Sequence, residues 1–359
     1  MNAHGWLAAS VLVVACGNPE ARQLGPDRAA GQAEFEALLA RYGPLETLAG
    51  SGLTGDDSND WDAAAEGGPA LLADLSTPHN ALGDAYGNTY IADKEAHAIR
   101  KVAPNGNIAT VAGVNAPGDD GDEPRLGRDA HLNWPNGIWL GPDGVVYILD
   151  LGNQKIRKLA PKGQLTTLFS VPGLVGGRGL WVADDESLAY VCSGTSVISW
   201  TPNGGVTTFA DSFIDLGNLA VSASGIVYVT DRGAHQVLRL GGSERVVVAG
   251  DGTATAAVDG APAFETSLDE VRGIWSLPSG AFFLATHAGS QVFYLDTYGL
   301  LHLFIDGAHD AHAGDGEPVT SPGKKVSEVR NVTVTHKGDV LVTENDLGYV
   351  RIVRALATP

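Results

Sequence analysis

Apolar residues in this chain come in short bursts of four or five, separated by turn-forming residues, and nowhere sustain a long helical period after the first fifty positions. Between Pro78 and Gly113 the pattern predicts an apolar strand at Ala81-Leu82, a glycine turn, a second strand over Thr89 to Ala92 and an Asp-led loop. A third strand over Ala98 to Val102, a Pro-Asn-Gly turn and a fourth strand over Ile108 to Ala112 complete the unit. Four short strands joined by turn residues describe one antiparallel meander. Such a sheet is marginal alone and has two faces to bury, so further copies are expected.

Copies follow at Pro135 to Ser170, Arg178 to Ala210, Gly217 to Gly250, Arg272 to Gly307 and Arg330 to Arg354, the last stopping after three strands. The residues ending each second strand align as Asp93, Asp150, Ser193, Asp231, Thr286 and Glu344. Unit length varies while strand order does not, the signature of a ring of radially packed sheets. The missing fourth strand of the last copy is supplied from the other end: Leu45-Glu46-Thr47-Leu48-Ala49-Gly50 matches Ile108 to Gly113 and Val246 to Gly250. The expected fold is therefore all-β: a six-bladed β-propeller of four-stranded antiparallel blades, the last closed by the N-terminal strand. Closure removes two strand edges that would otherwise invite other chains.

GNTYIADKEAHAIRKV, LGNQKIRKL and RGAHQVLRL resemble NHL-repeat blades, and AGDGTATAAVDGAPAFETSLDEVRGI resembles the long connectors of bacterial NHL-repeat proteins. The resemblance covers residues 44 to 354. It implies the propeller but no single function, because the family includes lyases, receptor domains and interaction modules. His97 and His235 fall at the family's usual histidine position after the second strand, where a loop-bracing role is implied.

Ahead of the propeller, residues 1–16 carry an apolar run from Trp6 to Ala15 that is too short to span a bilayer and suits a signal-peptide core. Val13-Val14-Ala15-Cys16 resembles a bacterial lipobox, although the positive n-region is missing. The domains expected are a signal peptide with lipobox at 1–16, a tether with a short helix at 17–43, and the propeller at 44–356. Asp27 is placed to cap that helix, Phe35, Leu38 and Leu39 form its stripe and Gly43 ends it. A lipid on Cys16 would place the protein in the cell envelope, with the outer membrane as the default. The other cysteine, Cys192, falls inside a second strand, where a buried thiol is expected.

With 42 acidic against 23 basic residues the net charge is −19, which disfavours nucleic acid and anionic lipid surfaces as partners. Any membrane contact is then expected through the lipid anchor only. Against that background, the residues opening the innermost strands align as His79-Asn80, Asn136-Gly137, Arg178-Gly179, Gly217-Asn218, Arg272-Gly273 and Arg330-Asn331. The first column sets three arginines, a histidine and an asparagine around the channel mouth. Converging guanidinium groups suit a carboxylate or phosphate, unless Asp93, Asp150, Asp231 and Glu344 neutralise them. The ligand-binding candidates are thus His79, Asn136, Arg178, Arg272 and Arg330, with His287 on the same face. The second column holds only Gly and Asn, which predicts a backbone position with positive φ.

No cofactor is expected, with Ca²⁺ or Zn²⁺ as the alternative: His309 and His312 have a metal-ligand spacing, and Asn80, Asn218 and Asn331 ring the channel. The aspartates from Asp56 to Asp62 and from Asp119 to Asp122 read as solvated loops. Trp139, Trp181 and Trp275 share one column of the inner strands and are expected in the core between blades, whereas Trp134 stands at the mouth. Two functions remain open. One is a lipid-anchored monomeric module binding a protein or a small anionic ligand through its loop-rich face. The other is a metal-dependent propeller hydrolase or lyase, resembling lactonases or amidating lyases, with its site at the channel mouth.

Overall fold

A computed structural model of the protein describes residues 27–52, 59–241 and 244–356. The expected signal peptide with Cys16, most of the tether, and Asp56 to Ser58 lie outside these residues. Among the described residues no helix is long and apolar enough to cross a membrane.

Six antiparallel sheets form the wheel. Blade 1 comprises Pro78–Gly83, Thr89–Asp93, Ala98–Val102 and Ile108–Ala112, from the axis outwards. Blade 2 comprises Pro135–Leu140, Val146–Asp150, Lys155–Leu159 and Gln164–Ser170, and blade 3 comprises Leu180–Val182, Ala189–Ser193, Ser196–Thr201 and Gly205–Ala210. Blade 4 runs Leu216–Val221, Val227–Asp231, Gln236–Gly241 and Glu244–Ala249, and blade 5 runs Val271–Ser276, Phe282–Thr286, Gln291–Leu295 and Leu300–Ile305. Blade 6 takes Val329–Val334, Val340–Glu344 and Tyr349–Ala355 from the C-terminal end, and its outermost strand, Tyr42–Ala49, from the other. In that closing pair Thr47 faces Arg351 and Ala49 faces Val350, with a bulge at Leu48.

Two blades carry a fifth, two-residue strand: Arg125–Leu126 adds to the outer edge of blade 2, and Ala261–Pro262 to that of blade 5. Both belong to links that lead into the same blade. The link before blade 1 bridges Pro69 to Asn107, and the link before blade 6 exchanges hydrogen bonds between Leu45 and both Gly316 and Glu317. The long links are therefore spent largely on covering the unpaired amides of outer strands, rather than standing as free loops above the mouth.

The core lies between blades. Leu82, Ile91's neighbour Tyr90 and Ile99 of blade 1 pack with Ile138, Ile148 and Leu165 of blade 2, and each other interface repeats the arrangement. Arginines of the third strands are buried beside the carboxylates that end the second: Arg100 Nε lies 2.9 Å from Asp93, Arg157 Nη1 3.6 Å from Asp150 and Arg351 Nη1 3.0 Å from Glu344. This explains the recurring basic residue of the repeat, since removing either partner would leave a buried charge unpaired.

The helix spans Arg28–Leu39. Asp27 caps it through Ala30 N at 3.0 Å, and Phe35 and Leu38 are buried against blades 5 and 6, Phe35 stacking on His302 at 4.6 Å. It ends four residues before Gly43, which instead lies within the closing strand.

Candidate functional site

All six inner strands begin on one face, and their first residues ring the axis there. The strands of blades 1, 2, 5 and 6 slip register across this position, between Pro78 and Asn80, Pro135 and Gly137, Val271 and Gly273, and Val329 and Asn331. His79, Asn136, Arg272 and Arg330 are thus bulge residues, and bulges re-aim side chains. The positive φ expected at the following Gly/Asn column is not found. Left-handed backbone occurs two residues upstream of the ring instead, at Thr77 (φ 54°), Trp134 (51°), Gly176 (57°), Glu270 (50°) and Glu328 (35°). Glycine is needed in that column for space: a Cβ on Gly137 would stand 2.2 Å from Arg178 O, and one on Gly273 2.9 Å from Asn331 Cα.

Histidines after the second strands hold the strained turns. His97 Nδ1 accepts the amide of Trp134 at 3.1 Å, His235 Nδ1 accepts that of Glu270 at 2.9 Å, and Ser290 Oγ accepts that of Glu328 at 3.0 Å. Each bracing residue itself has positive φ. The loop-bracing role is observed, and it reaches across to the next blade.

Asp93, Asp150, Asp231 and Glu344 do not neutralise the ring. Asp93 accepts Ser76 N, Asp150 accepts Asn133 N and Asp231 accepts the amides of Ile214 and Asp215, besides the buried arginines that face Asp93, Asp150 and Glu344. The carboxylates at the mouth are Glu270 and Glu328 of the strained turns, together with Asp215. Glu270 Oε2 lies 3.9 Å from Arg272 Nη2, 3.7 Å from Arg232 Nη1 and 3.1 Å from His287 Nδ1. Glu328 Oε2 lies 3.8 Å from Arg330 Nη2 and 3.2 Å from His287 Nε2, and Asp215 pairs with Arg232.

Four guanidinium groups therefore meet three carboxylates, and the shortfall has an address. Arg178 makes no side-chain hydrogen bond or ion pair to the described residues, its buried Nε is without an acceptor, and burial beside Arg232 lowers its pKa to about 10. Arg272 is 1% exposed, and its Nε and Nη1 likewise find no acceptor among the described residues. Burial, then the cations Arg330 and Arg178, hold the pKa of His79 well below 6.5, and its Nδ1 has no hydrogen-bond partner among the described residues. Asn136 is anchored to Gly177 O. His287 is also held below its ordinary value, mainly by burial.

His309 and His312 do not converge. His309 is exposed beside Glu328 and Asp346, and these three could share an ion. His312 stacks on Tyr349 at 3.5 Å and hydrogen-bonds Arg351. The three asparagines serve the wheel: Asn331 donates to Asn80 at 3.0 Å, and Asn331 and Asn218 each accept the next residue's amide at 3.0 Å. The loop at 119–122 is largely exposed, as expected of a solvated loop, and is also tied down, Asp119 and Asp122 binding Lys155 and Asp120 binding His131. Cys192 is buried, and desolvation raises its pKa to about 12, so its thiolate is not accessible.

The family model described as the teneurin NHL domain matches residues 70–160, which hold blades 1 and 2. Blades 1 and 2 are thus similar to the teneurin NHL domain, and the chain as a whole is a six-bladed β-propeller. Teneurin-3 of Mus musculus is 34% identical to this propeller over 77 residues, 19% of this chain and 3% of that protein. The chain thus spans only a small part of the curated relative it matches. An auxiliary nutrient binding protein from Bacteroides thetaiotaomicron superposes with a TM-score of 0.63 at 14% identity, over 86% of this propeller and 75% of that chain. A gluconolactonase from Xanthomonas campestris superposes with a TM-score of 0.56 at 16% identity, over 89% and 92%. At these identities the structural likeness establishes the propeller fold.

Proposed function

We propose that this propeller is a binding module that takes a small anionic ligand, a carboxylate or phosphate, at the mouth of its loop-rich face. The observation that carries the reading is Arg178 with Arg272: a partly buried guanidinium whose Nε lacks an acceptor and a fully buried one with two nitrogens lacking acceptors among the described residues, on a chain of net charge −19. Unpaired buried donors are costly, and an anion offering two or three oxygens between Arg178, Arg272 and Arg330 relieves that cost. His79 stays neutral and offers Nδ1 as a further contact. The nutrient-binding description of a propeller of the same fold agrees with a binding role. We further propose that Cys16 carries a lipid that holds the module in the cell envelope.

Isothermal titration of the purified full-length chain with inorganic phosphate, and separately with succinate, tests the site. One saturable site for at least one of the two is expected, lost in Arg178→Met; absence of binding for both overturns the reading. Mass spectrometry of the chain expressed in a bacterial host tests the anchor: a diacylglyceryl mass on Cys16, absent from Cys16→Ser, supports it, and an unmodified N-terminal segment refutes it.

A further inference from the structure

At the opposite end of the channel from the arginines lies a cavity of about 490 Å³. It is walled by Trp139, Trp181 and Trp275, floored by Asn80, Asn218 and Asn331, and rimmed by Asp184 and Asp185. The tryptophans were expected in the core between blades. They do pack there on one side, but each remains partly exposed, and the three rings stay grouped: Trp139 lies 6.0 Å from Trp275 and 6.5 Å from Trp181 between centroids. Their planes are inclined to one another by 33° and 52°, so the group forms a concave cage rather than a stack.

The charge of this cavity is one-sided. Its lining includes two aspartates and neither lysine, arginine nor histidine. Asp184 is exposed and makes no ion pair with the described residues, while Asp185 is held ionised by hydrogen bonds from Ser187. A concave aromatic surface beside uncompensated carboxylates attracts a cation through the ring faces and the local field together. The volume suits a small ligand with an apolar body, and the polar groups of the floor suit a hydroxyl or carbonyl at its other end. We propose that the tryptophan cavity binds a small organic cation, an alkylated ammonium whose head lies against Trp139, Trp181 and Trp275 and faces Asp184 and Asp185. The channel then presents opposite chemistry at its two ends, anion-seeking at the loop-rich face and cation-seeking at the tight-turn face.

Choline and its uncharged carbon isostere, 3,3-dimethylbutan-1-ol, separate charge from shape. Titration of each into the full-length chain, followed by tryptophan fluorescence and by calorimetry, should show saturable binding of choline and at least about tenfold weaker binding of the alcohol. Trp181→Ala should weaken choline by about tenfold or more, and Asp184→Asn combined with Asp185→Asn by several-fold. The double aspartate variant lies on exposed positions, keeps the fold by circular dichroism, and should leave phosphate titration at the other face unchanged. Equal affinity for choline and the alcohol, or binding of a disaccharide such as maltose in place of choline, overturns the cation assignment. No response of the cavity tryptophans to any of the three overturns the site.

Discussion

Replacing Arg272 by Met should make the unliganded protein more stable while abolishing its response to an anion. Arg272 is 1% exposed, and its one ionic partner among the described residues, Glu270 Oε2 at 3.9 Å, is shared with Arg232 and His287. Two of its nitrogens, Nε and Nη1, are buried without an acceptor among the described residues. An unsatisfied buried donor costs about 1–3 kcal/mol, so the pair costs about 2–6 kcal/mol. Against this, the long ion pair returns about 1 kcal/mol at most, and repacking around a methionine costs about 1 kcal/mol. A net stabilisation of up to about 4 kcal/mol follows, which for a chain of this size raises Tm by up to roughly 6 °C. Differential scanning fluorimetry in anion-poor buffer, then with rising phosphate, reads both effects. Wild type should start lower and climb with phosphate as RT ln(1 + [L]/Kd), whereas Arg272→Met should start higher and stay flat. A variant that melts several degrees below wild type, or that keeps the phosphate-dependent climb, refutes the reasoning.

Arg351 is an equally buried guanidinium with the opposite expected sign. It binds Lys325 O at 3.0 Å, Ala313 O at 2.9 Å and Glu344 at 3.0 Å, so Arg351→Met should destabilise by about 3–5 kcal/mol in urea melts; an unchanged midpoint would contradict the satisfied-pair reading. Leu45, fully buried where the closing strand meets blade 6, should lose about 2–5 kcal/mol on Leu45→Ala, and a neutral result would detach that strand from the stability of the ring. His79 has its folded pKa held well below 6.5, so below that pH the unfolded chain binds a proton that the folded chain does not, and stability falls as pH drops. His79→Gln should therefore gain on wild type by up to about 2 kcal/mol between pH 6.5 and pH 5, measured as the difference between their urea stabilities; parallel pH curves would refute a buried neutral imidazole.

The wheel was legible because its signals are periodic. Each second strand ends in an alignable residue, and the strand Leu45 to Ala49 resembles the fourth strands of blades 1 and 4 closely enough to assign its partner. His97 and His235 could be placed as braces, but not what they brace, because the amides of Trp134 and Glu270 belong to the next blade. The Gly/Asn column misled because two causes favour glycine, a positive φ and a lack of room, and a sequence does not separate them. Here room decides at Gly137 and Gly273, while the strain sits on Thr77 and Trp134, residues that disfavour it intrinsically. Glu270 and Glu328 escaped notice for a related reason. They lie in links of unequal length, yet their place two residues before Arg272 and Arg330 was a usable signal. The tryptophan column was visible, but whether three such rings fill a core or wall a cavity depends on the width of the channel, which no local pattern encodes.

If the arginines of the loop-rich mouth bind an anion, a heavy oxyanion locates the site directly. A crystal of the full-length chain grown with tungstate, examined by anomalous scattering, should place one strong peak within hydrogen-bond reach of Arg178 and Arg272. Density confined to the surface lysines, or a mouth in which Arg178 has turned to pair with Glu270, would contradict the account.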